Sequence, residues 1–316
     1  MSVTRRAVLA AGGALVAGSL ASALAGCGIG ATPPRLTMAC GERGGTYVQF
    51  GDLLAAALAD RGAADLRVRE SQGSVDNLAL LGSGDADLAI ALADAVAEAQ
   101  AADTELVAIG RVYQNYLQCV VRADGTVRTL DALAGARASI GAPGSGAALT
   151  AQRVLEAVDL WDGPRAVERS ALQLTEAVDA LRDGAIDAFF WSGGVPIPEV
   201  ERLRSTTRVT LVDCTPALPA LDAAHPGLYA STAVPAGVVD AARPIPAIGV
   251  SNLLVARPDL AAAIAATLVD ALVDDAERLV PDDSVGVQYL TASNLIDTAP
   301  ASLHPAARAR YRERYG

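Results

Sequence analysis

The chain has 316 residues, 52% of them hydrophobic, with 36 acidic against 25 basic side chains and a formal net charge of −11. So acidic a balance does not suit nucleic acid, whose phosphates need basic partners. All 25 basic residues are arginine, which excludes a Schiff-base lysine, a Walker lysine and a Ser-Lys nucleophile. His225 and His304 are the only histidines, each followed by proline, so a histidine-rich metal site is excluded too, and no cofactor is expected.

Residues 1–26 read as an export signal: Thr4-Arg5-Arg6 gives a charged start, Ala7 to Leu24 is apolar and small, and Leu24-Ala25-Gly26-Cys27 follows. The ending resembles a lipobox. That resemblance implies lipidation of Cys27, removal of the preceding residues and anchoring at the extracytoplasmic face of the cell membrane. The paired arginines also resemble a twin-arginine signal, although a Sec signal can carry two arginines, and both routes stay open. Losing Arg5 and Arg6 takes the net charge from −11 to −13. As a membrane span the stretch is marginal: it offers mostly Ala and Gly where about 20 strongly apolar residues are needed.

A linker at 27–35 leads into alternating strand-like and helix-like segments. Strands are predicted at Leu36–Ala39, Leu66–Glu70, Leu88–Ala91, Leu106–Val112, Leu117–Arg122, Arg137–Gly141, Ala185–Trp191, Arg208–Val212 and Ile248–Val255. Helices are predicted at Val48–Arg61, Val75–Gly82, Asp94–Ala101, Ala147–Val158, Leu174–Asp183, Pro198–Thr206 and Pro258–Leu279. This is the pattern of an α/β protein. Its length exceeds one typical core, so two lobes are expected, 36–122 plus 248–316 and 123–247, with crossings near Asp124–Leu133 and Pro244–Ile248. Besides Cys27 the chain has Cys40, Cys119 and Cys214, which allow at most one disulfide among them. Cys40 and Cys119 read as small buried residues, with a Cys40–Cys119 bridge as the alternative.

Three glycine-rich turns stand where a strand gives way to a helix: Gly44-Gly45-Thr46-Tyr47, Gly73-Ser74-Val75-Asp76-Asn77 and Gly141-Ala142-Pro143-Gly144-Ser145-Gly146. Helix starts carry unpaired N–H groups and partial positive charge, so they suit carboxylates. One such turn is an ordinary helix cap. Three at comparable positions point to an anion-binding cleft at the carboxyl ends of the strands.

These turns, with Gly84-Asp85-Ala86-Asp87-Leu88-Ala89-Ile90 leading to Asp94, Asp183-Gly184-Ala185-Ile186-Asp187-Ala188-Phe189-Phe190, Gly193-Gly194-Val195-Pro196 and Leu303-His304-Pro305 before Tyr311, resemble the TAXI-type binding subunits of TRAP transporters. The resemblance runs from about residue 36 to the end. It implies an α/β, two-lobed periplasmic-binding-protein fold (type II-like) that closes on a small anionic or amino-acid solute, glutamate-like or dicarboxylic, and delivers it to membrane permease subunits. Carried over, Gly45, Thr46, Tyr47, Ser74 and Asn77 would bind from the first lobe and Gly144, Ser145 and Gly146 from the second. Asp94 matches a position near the cleft, where it could receive an ammonium or simply cap its helix. Where the family commonly has Gly-Ser-Gly-Thr, this chain has Ala147 and lacks that hydroxyl.

Trp191 could stack on a ligand or fill the core, and Tyr113 and Tyr116 are further candidate walls. Arg43 reads as a carboxylate partner or a solvated loop residue. Other readings are a receptor for an ABC importer, a sensory subunit coupled to a membrane kinase and a secreted hydrolase. For the last there is no Gly-x-Ser-x-Gly elbow and no base beside Ser145.

Overall fold

The computed structural model describes residues 32–281 and 289–316, and Cys27 and the export segment lie outside them. Residues 35–316 form one compact unit. The chain begins with β1 (Arg35–Gly41), α1 (Thr46–Asp60), β2 (Asp65–Glu70), α2 (Ser74–Ser83), β3 (Leu88–Leu92) and α3 (Ala93–Ala101). β3 is buried at every position, as a strand of a covered parallel sheet must be. Phe50, Leu54, Ala57 and Leu58 recur at helical spacing and bury one face of α1.

The long strand β4 (Val107–Arg122) leads to β5 (Arg137–Ser139), α4 (Gly146–Ala157), β6 (Glu168–Ser170), α5 (Leu174–Arg182), β7 (Ala188–Gly193), α6 (Pro198–Arg204) and β8 (Val209–Val212). α7 (Leu218–Ala224), β9 (Tyr229–Val234) and β10 (Ile245–Ala256) follow, then α8 (Ala262–Asp274), α9 (Ala292–Leu295) and α10 (Pro305–Tyr315). Gln173 and Glu176 form a reciprocal capping box at the start of α5, while Leu174, Ala177, Val178 and Leu181 supply its buried stripe.

The strands join in the order β2-β1-β3-β10-β4-β7-β5-β6, with β8 also on β4 and β9 also on β10. β1 is parallel to β2 and β3, and β5 is parallel to β6 and β7. Between these parallel wings lie the antiparallel strands β10 and β4. β4 pairs with β10 along its first part and with β7 and β8 along its last, so β4 and β10 themselves carry the chain between the two halves of the sheet. One hydrophobic cluster, with Leu92, Val96, Leu155 and Phe190, spans both halves; α1, α8 and α10 cover a second, and α5, α6 and β9 cover a third.

Two expectations change. The runs 106–112 and 117–122 belong to a single strand, because Gln114 and Asn115, which look like a polar break between them, are buried and hydrogen-bonded inside the sheet. The helix expected over 258–279 is confined to Ala262–Asp274, with a 3₁₀ turn at Ala276–Leu279, since Pro258 and Asp259 form a turn ahead of it. β6, α7, β9, α9 and α10 are not among the predicted elements; they are short or bounded by proline. The three cysteines are buried and free, as small core residues, without a Cys40–Cys119 bridge. Among the described residues no helix is long and apolar enough to cross a membrane.

Candidate ligand-binding site

Each glycine-rich turn joins the carboxyl end of a parallel strand to a helix: β1 to α1, β2 to α2 and β5 to α4. The turns meet around a cavity of about 50 Å³, bounded by Gly45, Thr46, Tyr47 and Ser74 from one half and by Ser145, Gly146, Ala147 and Trp191 from the other. At roughly 10–15 Å³ for one water-sized sphere, it admits a few such groups side by side. Glycine is required here by backbone geometry. Gly41 and Gly73 both have φ near +122°, and a Cβ on Gly73 would stand 3.3 Å from Cα of Ser145 across the cleft.

The halves touch through backbone as well. The carbonyl of Gly144 accepts from the N–H groups of Val75 and Asp76, both at 3.1 Å, and so occupies the first turn of α2. Gly194 N–H donates to Thr46 Oγ1 at 3.2 Å. Ser145 caps α4 by accepting from Ala148 N–H at 3.0 Å.

A directed chain of hydrogen bonds forms the polar floor. Tyr47 donates its hydroxyl to Asn252 Oδ1 at 2.6 Å, so the 3.0 Å contact between Tyr47 and Ser74 has Ser74 as donor. Ser74 Oγ in turn accepts from Leu92 N–H at 3.1 Å. Asn252 Nδ2 donates to Asn115 Oδ1 at 2.9 Å, and Asn115 Nδ2 donates to the carbonyl of Ser192 at 3.1 Å. The chain runs from β3 through α1 and β10 to β7, tying both halves to one proton arrangement. Beside it, the hydroxyl of Ser192 is buried without a hydrogen-bond partner, as is that of Tyr113.

Of the ten residues expected to bind solute, Gly45, Thr46, Tyr47, Ser74, Ser145, Gly146 and Trp191 border the cavity. Asn77, Asp94 and Gly144 do not. Asn77 is fully buried, donating to the carbonyl of Ile90 at 2.7 Å and accepting from Ser71 at 2.5 Å. Asp94 is fully buried as well: its carboxylate accepts from Thr150 Oγ1 at 2.7 Å, Tyr229 hydroxyl at 3.0 Å and Ala95 N–H at 2.8 Å. It therefore clasps α3 to α4 and β9. Tyr113 and Tyr116 lie in the core, and Arg43 pairs with Glu70 at 2.8 Å on the surface.

Sequence reading missed Glu42, Gln72, Asn115 and Ser192, which also border the cavity. Gln72 immediately precedes Gly73 and Glu42 stands between Gly41 and the Gly44-Gly45 turn, so both could have been found from their nearness to glycine turns. Asn115 could not, because it was assigned to a break between strands. Among the described residues that bound the cavity there is no arginine and no histidine, and Glu42 is the one carboxylate. Burial raises the Glu42 carboxyl above the usual range, and Glu176 and Glu199 push it the same way against a hydrogen bond from Leu174 N–H. Burial also raises the Tyr47 hydroxyl and pushes the Cys40 thiol up to about 12. His304 instead caps α10 by accepting from Ala306 N–H at 3.1 Å, and no three His, Cys, Asp or Glu side chains among the described residues are grouped to hold a metal.

Among solved structures, a protein of Bordetella bronchiseptica RB50 is similar over 90% of this chain and 98% of its own, with 16% identity and a TM-score of 0.54. The periplasmic aliphatic sulphonate binding protein SsuA of Escherichia coli shares 17% identity over 89% of this chain and 83% of its own, TM-score 0.47. The alkanesulfonate-binding protein SsuA of Xanthomonas axonopodis pv. citri, bound to MOPS, shares 16% over 89% and 84%, TM-score 0.49. Two parallel wings joined by antiparallel crossing strands make this the mixed α/β, type II periplasmic-binding-protein fold. The family model described as NMT1-like matches residues 38–314, and the chain belongs to the NMT1-like family.

Proposed function

We propose that the protein is an extracytoplasmic solute receptor that captures a small carboxylated solute, an amino acid or dicarboxylate, and releases it to a TRAP-type membrane permease. The observation that carries the reading is the convergence of helix starts from both halves, α1 at Thr46 and α4 at Gly146, on one cavity. The lobes would be 36–122 plus 248–316 and 123–247, closing as rigid bodies. Cys27 would carry the lipid that holds the receptor at the membrane. The resemblance of the glycine turns and of the segments 84–94 and 183–196 to TAXI-type subunits supports TRAP-type delivery, with an ABC importer or a sensor kinase as the alternative partner.

Mass spectrometry of ligand retained through mild purification, followed by calorimetric titration of amino acids and dicarboxylates, tests the capture step. Absence of both a retained ligand and any binding heat removes the receptor reading. Membrane co-purification separates the partners: recovery with an ATP-hydrolysing importer or a kinase in place of a TRAP permease overturns the delivery step alone.

A further inference from the structure

We infer that Glu42 sets the class of solute: the cavity takes a molecule with one carboxylate and one cationic nitrogen, net neutral, and excludes dicarboxylates. The inference rests on the receptor reading and narrows it. Each helix start offers about half an elementary charge. The start of α2 is already occupied by the carbonyl of Gly144, which leaves α1 and α4. Together they offset about one negative charge. Among the described residues no arginine borders the cavity; the nearest in sequence to Glu42, Arg43, is held by Glu70 with its side chain 84% exposed.

A second carboxylate would therefore have no positive counterpart, and it would meet Glu42. The Glu42 side chain sits between β1 and α1, where Oε2 accepts from Leu174 N–H of α5 at 3.4 Å. That contact, its one side-chain hydrogen bond among the described residues, links Glu42 at the cavity border to the opposite half. The charges of Glu176 and Glu199 add negative potential, which raises its proton affinity further. An ammonium resolves this arrangement: it pairs with Glu42 while the carboxylate lies at the starts of α1 and α4. The ammonium partner that sequence suggested, Asp94, is enclosed among Thr150, Tyr229 and Ala95. The buried, unpartnered Ser192 hydroxyl offers a further hydrogen bond to the same solute.

The test titrates the full-length protein, freed of retained ligand, with L-alanine, γ-aminobutyrate, propionate and succinate. One or both amino compounds are expected to bind at least about tenfold tighter than propionate or succinate, as a charge-assisted hydrogen bond requires. Glu42→Gln is expected to erase that ratio and Glu42→Asp to preserve its direction, with circular dichroism confirming that each variant folds. A ratio unchanged in Glu42→Gln, or wild-type protein that prefers succinate, overturns the inference and leaves the receptor reading standing. So does a retained ligand whose only charges are negative. No retained ligand and no binding by any probe removes both.

Discussion

Gly146 lies so close to Ser74 that a Cβ on it would stand 2.6 Å from Ser74 Oγ, and also 2.6 Å from Leu92 Cδ1. The two residues belong to opposite halves of the sheet, so hydrogen at that position is what lets the halves meet. Gly146→Ala should hold them apart, at a cost of about 1–3 kcal/mol to the closed form, typical of overpacking. A larger radius of gyration in solution scattering and a lower melting temperature are expected. Unchanged values for both would show that the cleft tolerates the methyl.

Tyr47→Phe keeps the ring that walls the cavity and removes the hydroxyl. Asn252 Oδ1 then loses its donor and Ser74 its acceptor inside the protein. A loss of about 1–3 kcal/mol in urea unfolding is expected for buried groups left unpaired. A change below about 0.5 kcal/mol, within the noise of neutral surface substitutions, would mean that other groups satisfy them.

Asp94 supplies a pH test. Burial is the largest influence on its carboxyl and raises its proton affinity, although Thr150, Arg153, Tyr229 and Ala95 all favour the charged form. A carboxyl that is raised on folding contributes stability that is full below the ordinary carboxylate value and lost as pH rises through the folded value. Asp94→Asn lacks this dependence, so the melting temperature of the wild type relative to the variant should fall as pH rises above the ordinary carboxylate value. Glu98, which pairs with Arg153, is present in both proteins, whereas His225, which packs edge-on against Tyr229, feels the Asp94 charge and adds its own titration to the difference. A flat difference would show that the clasp carries a charged carboxylate at no cost.

The Cys40 thiol, fully buried and pushed up to about 12, should not react with iodoacetamide at neutral pH until the protein unfolds. Peptide mass spectrometry with and without urea reads this directly. Native-state labelling of Cys40 would mean that the first strand and α1 open readily.

The glycine turns were legible because their chemistry is local: a strand must end, a backbone must turn at positive φ, and a helix must start. Six of the seven expected contacts that border the cavity lie in those turns, Trp191 on β7 being the seventh. Asn77 and Asp94 have the same residue chemistry as binding groups, yet their side chains point into the protein, where Ile90, Ser71, Thr150 and Tyr229 take up their hydrogen bonds. No short-range pattern distinguishes the two uses of an amide or a carboxylate.

By itself the sequence determined the α/β alternation, the helix starts that form a cavity wall and the exclusion of lysine chemistry, since each depends on residue type and spacing within one segment. Only the tertiary structure decided that β4 passes unbroken from one half to the other, that Glu42 is the carboxylate facing the cavity and that Asp94 is a clasp. Those outcomes depend on which side chains meet across more than 50 residues of chain, as Asp94 meets Thr150 at a separation of 56 and Tyr229 at 135. Burial, which sets the energy of an unpaired charge, exists only once those contacts have formed.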